Sequence, residues 1–284
     1  MIARAIAQAA AELAAAGIDS ARVDAELLAA HVAGVSRSRL ALTEPGPDFA
    51  DRYQELIGRR AQRIPLQHLT QVAYFGPVEL HVGPGVFIPR PETEALLEWA
   101  MALPLDRSEP SAPVIVDLCT GSGALALALA HAYPGARVIA VEKDPVALQY
   151  AHRNCDGRSV EVRHGDIADP DLLADLAGRA DLVVANPPYI PDGAHLEPEV
   201  AEHDPHQALF GGPDGMAVIA HVIDSAARLL RTGGYLGIEH DDTTSGCTVE
   251  MIGAVGGFGD ITARLDLTGR PRFVTATSRG PASP

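Results

Sequence analysis

Asn186-Pro187-Pro188-Tyr189 puts an amide, two rigid rings and a phenol into four consecutive residues. The prolines stiffen the chain and fix the direction of its carbonyls. The Asn186 side-chain oxygen and the Pro187 carbonyl can together accept both hydrogens of an –NH2 group. Tyr189 offers a flat apolar face. A merely structural turn needs neither the Asn nor the Tyr. The chemistry that fits is the holding of a planar amino or amide nitrogen.

A second group of residues reads as a ligand cradle. Asp117-Leu118-Cys119-Thr120-Gly121-Ser122-Gly123 follows an apolar strand and opens a helix. Glycines admit close approach of a ligand to the backbone, and a helix N-terminus offers free N–H groups. The string is neither the dinucleotide GxGxxG nor a P-loop. Glu142 lies 21 residues after Gly121, at the end of the next strand. A carboxylate there can accept both hydroxyls of a ribose. Asp166 and Ile167 follow the third strand, where the edge of an adenine would lie in such a crevice.

The elements that position these residues can also be read. Helices are expected over 2–16, from Asp19 or Ser20 through His31, and over 48–63, with Gly17, Gly34 and Pro65 as stops. Short apolar runs and turn signals over 72–89 predict a β-hairpin or a pair of short strands. Residues 104–113 read as a surface loop, and the terminal GPASP as disordered. From 114 onward strand and helix alternate. Strands are expected at 114–118, 137–141, 160–164, 181–185 and 235–239, and two more over 258–265 and 272–277. Helices are expected at 123–132, 145–154, 171–177 and 214–230. The pattern predicts an α/β fold with a doubly wound, mostly parallel sheet. The domains are then a helical one over 1–71, a hairpin connector over 72–90 and a catalytic one over 91–284.

Composition narrows the partners. The 284 residues carry a formal net charge of −15. Residues 1–70 hold eight Arg and eight acidic side chains, so the remaining 14 basic and 29 acidic residues account for all of it. Such a chain is ill suited to gripping nucleic acid by phosphate neutralisation, or an anionic membrane. Cys119, Cys155 and Cys247 form no CxxC, which points to reduced thiols in a cytoplasm rather than a disulfide framework. No metal site is expected: Pro205 interrupts His203 and His206, a third ligand is missing, and His240-Asp241-Asp242 reads as a strand-end loop. Ser122 and Ser245 lack the GxSxG context of an acyl-transfer nucleophile. The amino-terminal stretch has Glu12 and no uninterrupted apolar span, so it reads as a helix and not a membrane segment.

Asn-Pro-Pro-Tyr after a glycine-loop strand is similar to the S-adenosylmethionine-dependent methyltransferases that modify exocyclic or amide nitrogens. FIPRPETE (87–94), EPEVAEHDPHQALFGGPDG (197–215) and DLTGRPRFV (266–274) resemble the bacterial HemK/PrmC family over nearly the whole chain. The resemblance implies a class I methyltransferase-like fold and methyl transfer to the glutamine of the GGQ motif in class 1 peptide chain release factors. It implies that Asp117 and Cys119 to Gly123 hold the methionine part of S-adenosylmethionine. Glu142 would hold the ribose, Asp166 and Ile167 would border the adenine, and Asn186 would border the cofactor as well. Asn186, Pro187, Pro188 and Tyr189 would hold the substrate glutamine, with Asn186, Pro187 and Tyr189 in the catalytic role. Residues 87–94 would close over the cofactor pocket, and residues 1–71 would dock the protein substrate. The family's usual first loop glycine is Cys119 here, its ribose Asp is Glu142, its frequent aromatic is Ile167, and DDTTSG replaces the common Gly–Gln pattern after YLGIEH. Two other readings stay open on the residues alone: methylation of an adenine or guanine amino group, and a binding protein without turnover.

Overall fold

The computed structural model describes residues 2–105 and 112–280. Most of the loop expected over 104–113, and all of the expected tail but Gly280, lie outside the described residues. The chain up to Val72, together with Val82–Pro84 and Leu196–His203, forms one compact unit, and the other described residues form a second.

The elements of the first stretch are α1 (Ile2–Ala15), α2 (Ala21–Ala33), a 3-10 turn (Arg37–Leu42), α3 (Phe49–Ala61) and α4 (Leu66–Thr70). Ile2, Ile6, Ala9 and Leu13 form one buried face of α1 at helical spacing. They meet Ala25, Leu28 and Ile57 in a core of their own. α2 stops at Gly34, whose φ of 65° is left-handed, as read from the sequence. Arg60 is buried and bonded to Asp24 at 2.7 Å and to Glu199 at 2.8 Å, which accounts for the return of residues 196–203 to this unit.

The second stretch begins with β1 (Val72–Phe75) and β2 (Val78–His81), paired as a two-stranded sheet. Then follow α5 (Glu94–Met101), β3 (Val114–Leu118), α6 (Ala124–Ala132), β4 (Arg137–Glu142), α7 (Pro145–Cys155), β5 (Val160–His164) and β6 (Ala180–Ala185). After these come α8 (Pro198–His203), α9 (His206–Leu209), α10 (Ala217–Leu229), β7 (Leu230–Glu239), α11 (Ser245–Val255), β8 (Phe258–Leu265) and β9 (Pro271–Ser278). The large sheet has the order β5-β4-β3-β6-β7-β9-β8. β3 to β7 run parallel, and β9 is antiparallel to both β7 and β8. This is the doubly wound, mostly parallel sheet expected, with its order reversing beside β3.

Alternate strand residues face opposite ways. Val116, Leu118, Ile139, Val141, Val183 and Ala185 join Ile219, Val222 and Ile223 of α10 and Ile252 of α11 in one core. The other face receives α5 and α6: Asp117 accepts the N–H of Ala126, and Gly237 lies under Trp99 and Leu96. α6 is apolar on nearly every side, and Ala124–Leu129 are all buried.

Several expectations are corrected. The helix expected over 171–177 is only a 3-10 turn, Ala174–Leu176. Leu173 before it has a φ of 56°, and Asp169 bonds the N–H of Asp171, so side chain and backbone favour a turn. The 214–230 helix ends at Leu229, and β7 is twice the expected length, running from Leu230 with a register shift against β6. Val86 and Ile88 are buried, but 82–89 carries no strand. The sequence pattern does not announce α4, α5, α8, α9 or α11.

Close packing at Gly237 yields a prediction. A Cβ there would stand 2.5 Å from the Trp99 ring and 2.7 Å from Leu96. Overpacking of this kind costs about 1–3 kcal/mol. Gly237→Ala is expected to lower the denaturation midpoint and shift the emission of Trp99, the single tryptophan of the chain. Unchanged emission and midpoint would show that α5 does not pack there.

Candidate active site

The parallel register brings four strand ends to one level. Leu118 is opposite Val141 and Ala185, and Ala185 is opposite Ile238. The next residues along these four strands are Cys119, Glu142, Asn186 and Glu239. Helix N-termini and loops leave the sheet at this edge, where ligands of open α/β sheets bind.

The loop after β3 turns on three positive φ angles, at Cys119 (60°), Gly121 (59°) and Gly123 (87°). Cys119 thus adopts the left-handed conformation that the turn requires, although it has a Cβ. Around the Cβ position of Gly121 there is open space, whereas at Gly123 a Cβ would meet the Cys155 sulfur at 3.2 Å. Thr120 donates its hydroxyl to Asp117 Oδ2, which also accepts the Ala126 N–H at 3.1 Å. Asp117 Oδ1 is buried without a partner. Burial pushes the Asp117 carboxyl up to about 7, against the pull of those two hydrogen bonds. Burial likewise pushes the Cys119 thiol up, so it is protonated at neutral pH and no nucleophile.

Glu142 closes the cradle. Its Oε2 accepts the Gly121 N–H at 2.8 Å, and its Oε1 accepts those of Lys143 at 2.9 Å and Asp144 at 2.8 Å. The carboxylate thus reaches the glycine loop itself. Its pKa is raised, because burial outweighs the three N–H groups. Asp144 caps α7 by accepting the N–H groups of Val146 and Ala147. Asp166 pairs with Lys143 at 2.7 Å, and this hydrogen bond to the ammonium holds its pKa low. Ile167 is partly buried against the sheet core, and its carbonyl accepts the Ser225 hydroxyl at 3.3 Å. Ser122 is buried, and its carbonyl accepts the Asn154 amide at 2.9 Å.

Asn186 donates its side-chain N–H to the Thr93 hydroxyl at 3.1 Å. Tyr189 donates its hydroxyl to Glu239 at 3.0 Å. Burial raises the pKa of Tyr189, with the Glu239 charge adding to it. The backbone of the motif is braced from outside. A Cβ on Gly215 would stand 2.2 Å from the Tyr189 carbonyl oxygen, and one on Gly211 would stand 2.5 Å from that of Pro188. Only glycine fits at either place, which gives the LFGGPDG string its physical reason.

Other singled-out residues lie elsewhere. His206 packs on Phe210 at 4.2 Å between ring centroids, and His203 meets the edge of His68. His240 is buried, with Nδ1 2.7 Å from the Asp241 carbonyl. Among the described residues no three His, Cys, Asp or Glu side chains converge as metal ligands. No helix of the described residues is long and apolar enough to cross a membrane. Sequence reading missed Thr93, Asn154 and Glu239. Asn154 bonds the His81 backbone at both N–H and carbonyl, tying β2 to the glycine loop. The overlooked signal for Glu239 was a carboxylate at the end of an otherwise apolar strand.

The sequence matches the Methyltransferase small domain family over residues 93–208, and the PrmC N-terminal domain family over residues 4–70. It is 62% identical to the release factor glutamine methyltransferase of Mycolicibacterium smegmatis, over 96% of each chain. It is 57% identical to that of Mycobacterium tuberculosis, covering 98% of this chain and 91% of the relative. The chain belongs to the release factor glutamine methyltransferase family. A methyltransferase structure from Pyrococcus furiosus shares the fold at 18% identity, with a TM-score of 0.54, over 78% of this chain and 99% of that one.

Asp117 carries a testable pH dependence. An acid whose folded pKa is raised contributes stability that is complete below its unfolded value of 3.8 and is lost as pH rises through about 7. The melting temperature of the wild type should therefore fall relative to that of Asp117→Asn between about pH 4 and about pH 7. Parallel curves for the two proteins across that range would place the Asp117 carboxyl in water, against the structure.

Proposed function

We propose that this chain transfers a methyl group from S-adenosylmethionine to the side-chain amide nitrogen of the glutamine in the Gly-Gly-Gln motif of class 1 peptide chain release factors. The observation that carries this reading is Asn186. It leaves β6 at the level of the glycine loop and Glu142, with one side-chain hydrogen committed to Thr93. That leaves its Oδ1 as an acceptor, next to the Pro187 carbonyl.

The residues present suit the cofactor. The open Gly121 turn leaves room for a ligand against the backbone. Asp117, Glu142 and Asp166 form an acidic surround that favours a cationic sulfonium. Glu142 already accepts three N–H groups, yet a carboxylate has about four acceptor positions, so a ribose hydroxyl can still be received. Asp166 and Ile167 would border the adenine. The loop from Cys119 to Gly123 would hold the methionine part.

When bound, S-adenosylmethionine supplies an electrophilic methyl carbon. The substrate's difficulty is different: an amide nitrogen shares its lone pair with the carbonyl and is a poor nucleophile. Asn186 Oδ1 and the Pro187 carbonyl accept both its hydrogens. This orients the nitrogen and favours partial loss of conjugation. Pro188 holds the carbonyl direction, and Tyr189 gives the planar group a face to lie on. Alignment of this kind can remove roughly 7–11 kcal/mol of barrier. No charged base is needed, because the nitrogen becomes strongly acidic as the new bond forms. The charge-balanced residues 1–71, with Arg37, Arg39, Arg59 and Arg63 among them, would dock the protein substrate in the cytoplasm; Arg60, which the sequence groups with these, is instead buried against Asp24 and Glu199. Residues 72–90 would connect them to the catalytic residues 91–284. The acidic remainder makes polynucleotide a poor substrate.

Labelled S-adenosylmethionine, offered with a release factor or with duplex DNA, tests the reading. Label is expected in the protein, on glutamine; label in DNA instead would transfer the same loop to a nucleobase amino group. Asn186→Ala should lower single-turnover methyl transfer roughly 10²-fold, the scale for removing one preorganised polar group. Cofactor affinity should change less in Asn186→Ala than in Glu142→Ala. A wild-type rate in Asn186→Ala would mean that the amide clamp is not the mechanism.

A further inference from the structure

Glu239 is a buried carboxylate that the proposed chemistry leaves without a task. It ends β7 and is 1% exposed. Oε1 accepts the Tyr189 hydroxyl, and Oε2 is buried with no hydrogen-bond partner. Such a group is costly to bury. The groups facing it are the Thr93 and Tyr189 hydroxyls, Arg272 of β9 and Glu92 of the Pro91–Thr93 turn. Burial raises its pKa to about 7, while Thr93, Tyr189 and Arg272 draw it down and Glu92 raises it.

Counting hydrogens shows what a carboxylate in this place can do. Thr93 has one hydroxyl hydrogen, and its oxygen is occupied in accepting from Asn186 Nδ2. That hydrogen must go to another acceptor. Ionised Glu239 can only accept, so the Thr93 hydroxyl facing it can turn its hydrogen toward the carboxylate and keep its lone pair for Asn186. The order Asn186 to Thr93 to Glu239 then has one direction. Asn186 Oδ1 is left pointing away from Thr93. With the amide reversed, Nδ2 would confront the hydrogens of a substrate –NH2 group. Tyr189, the other functional side chain of the motif, is held by the same carboxylate. Such a carboxylate sets donor and acceptor identities in two side chains at once.

We infer that Glu239 is a positioning residue for methyl transfer, fixing the Asn186 amide through Thr93 with Oδ1 left for the substrate nitrogen, and fixing the Tyr189 ring directly. This rests on the proposed function, and it adds to that reading the group that sets the polarity of the clamp. Glu239→Gln keeps the shape but can present –NH2 to Thr93, which lets the Thr93 hydroxyl donate to Asn186 and reverse its amide. Thr93→Val keeps the shape and cuts the chain of hydrogen bonds. Thr93→Ser restores it.

The test is single-turnover methyl transfer to a release factor at saturating S-adenosylmethionine, with cofactor affinity measured by calorimetry. Glu239→Gln and Thr93→Val should each slow transfer by about tenfold or more. Cofactor affinity should stay within about threefold, and Thr93→Ser should recover most of the rate. In an Asn186→Ala background, Glu239→Gln should add little, because the group it positions is gone. Wild-type turnover should rise with pH through about 7 as Glu239 ionises, and Glu239→Gln should lack that rise while Asp117 is retained in both. Wild-type rates in Glu239→Gln, or equal losses of transfer and cofactor affinity in both variants, would overturn the inference while leaving the proposed function intact. If the wild type itself puts no methyl on release factor glutamine, the proposed function fails, and the inference falls with it.

Discussion

The constraint on which the site depends is the common register of four parallel strands. Leu118, Val141, Ala185 and Ile238 are paired across the sheet, so the residues that follow them emerge side by side. None of the four strand-end loops could be moved by one residue without reversing which face its strand buries. The apolar core under α10 and α11 enforces that choice, since Val116, Leu118, Ile139, Val141, Val183 and Ala185 must all face it. Packing thus fixes where Cys119, Glu142, Asn186 and Glu239 stand.

At that edge the protein concentrates carboxylates that burial disfavours in charged form. Asp117 and Glu239 are both pushed up to about 7, and Glu142 is raised as well. Asp166 differs because it reaches the surface and pairs with Lys143. Folding alone gains nothing from uncompensated buried acids. A cationic ligand beside Asp117 and Glu142 would offset that cost, as an electrostatic preference for a sulfonium over its neutral product. Glu239 has no such role; it accepts the Tyr189 hydroxyl, and it faces the Thr93 hydroxyl that accepts from Asn186.

Much of this was legible before the structure. Apolar runs such as RVIAV and DLVVA announced buried parallel strands, and Asn186 to Tyr189 stood out because prolines beside an amide and a phenol have a chemical meaning. What stayed hidden depends on contacts distant in sequence. Thr93 is an ordinary residue until it meets Asn186, 93 positions away. Gly211 and Gly215 look like turn residues until the backbone of Pro188 and Tyr189 lies against them. α11 contains two glycines, Thr and Val and is weakly helical by itself, so Thr248 and Ile252 must be held by burial. In the opposite sense DLLADLAG reads as a helix locally, but Leu173 adopts a left-handed conformation and the chain turns. The cradle shows both sides: the Gly121–Gly123 turn and an acid at the end of β4 could be read, whereas the bond from Gly121 to Glu142 could not.

In the proposed clamp the end of β6 presents two acceptors to one planar nitrogen. The most direct measurement is a crystal structure of the chain with S-adenosylhomocysteine and a release factor bound. The Gly-Gly-Gln side-chain nitrogen is expected within hydrogen-bonding distance, about 2.7–3.2 Å, of both Asn186 Oδ1 and the Pro187 carbonyl oxygen. A glutamine bound with its amide oxygen turned to Asn186, or lying away from the Asn186–Tyr189 loop, would contradict it.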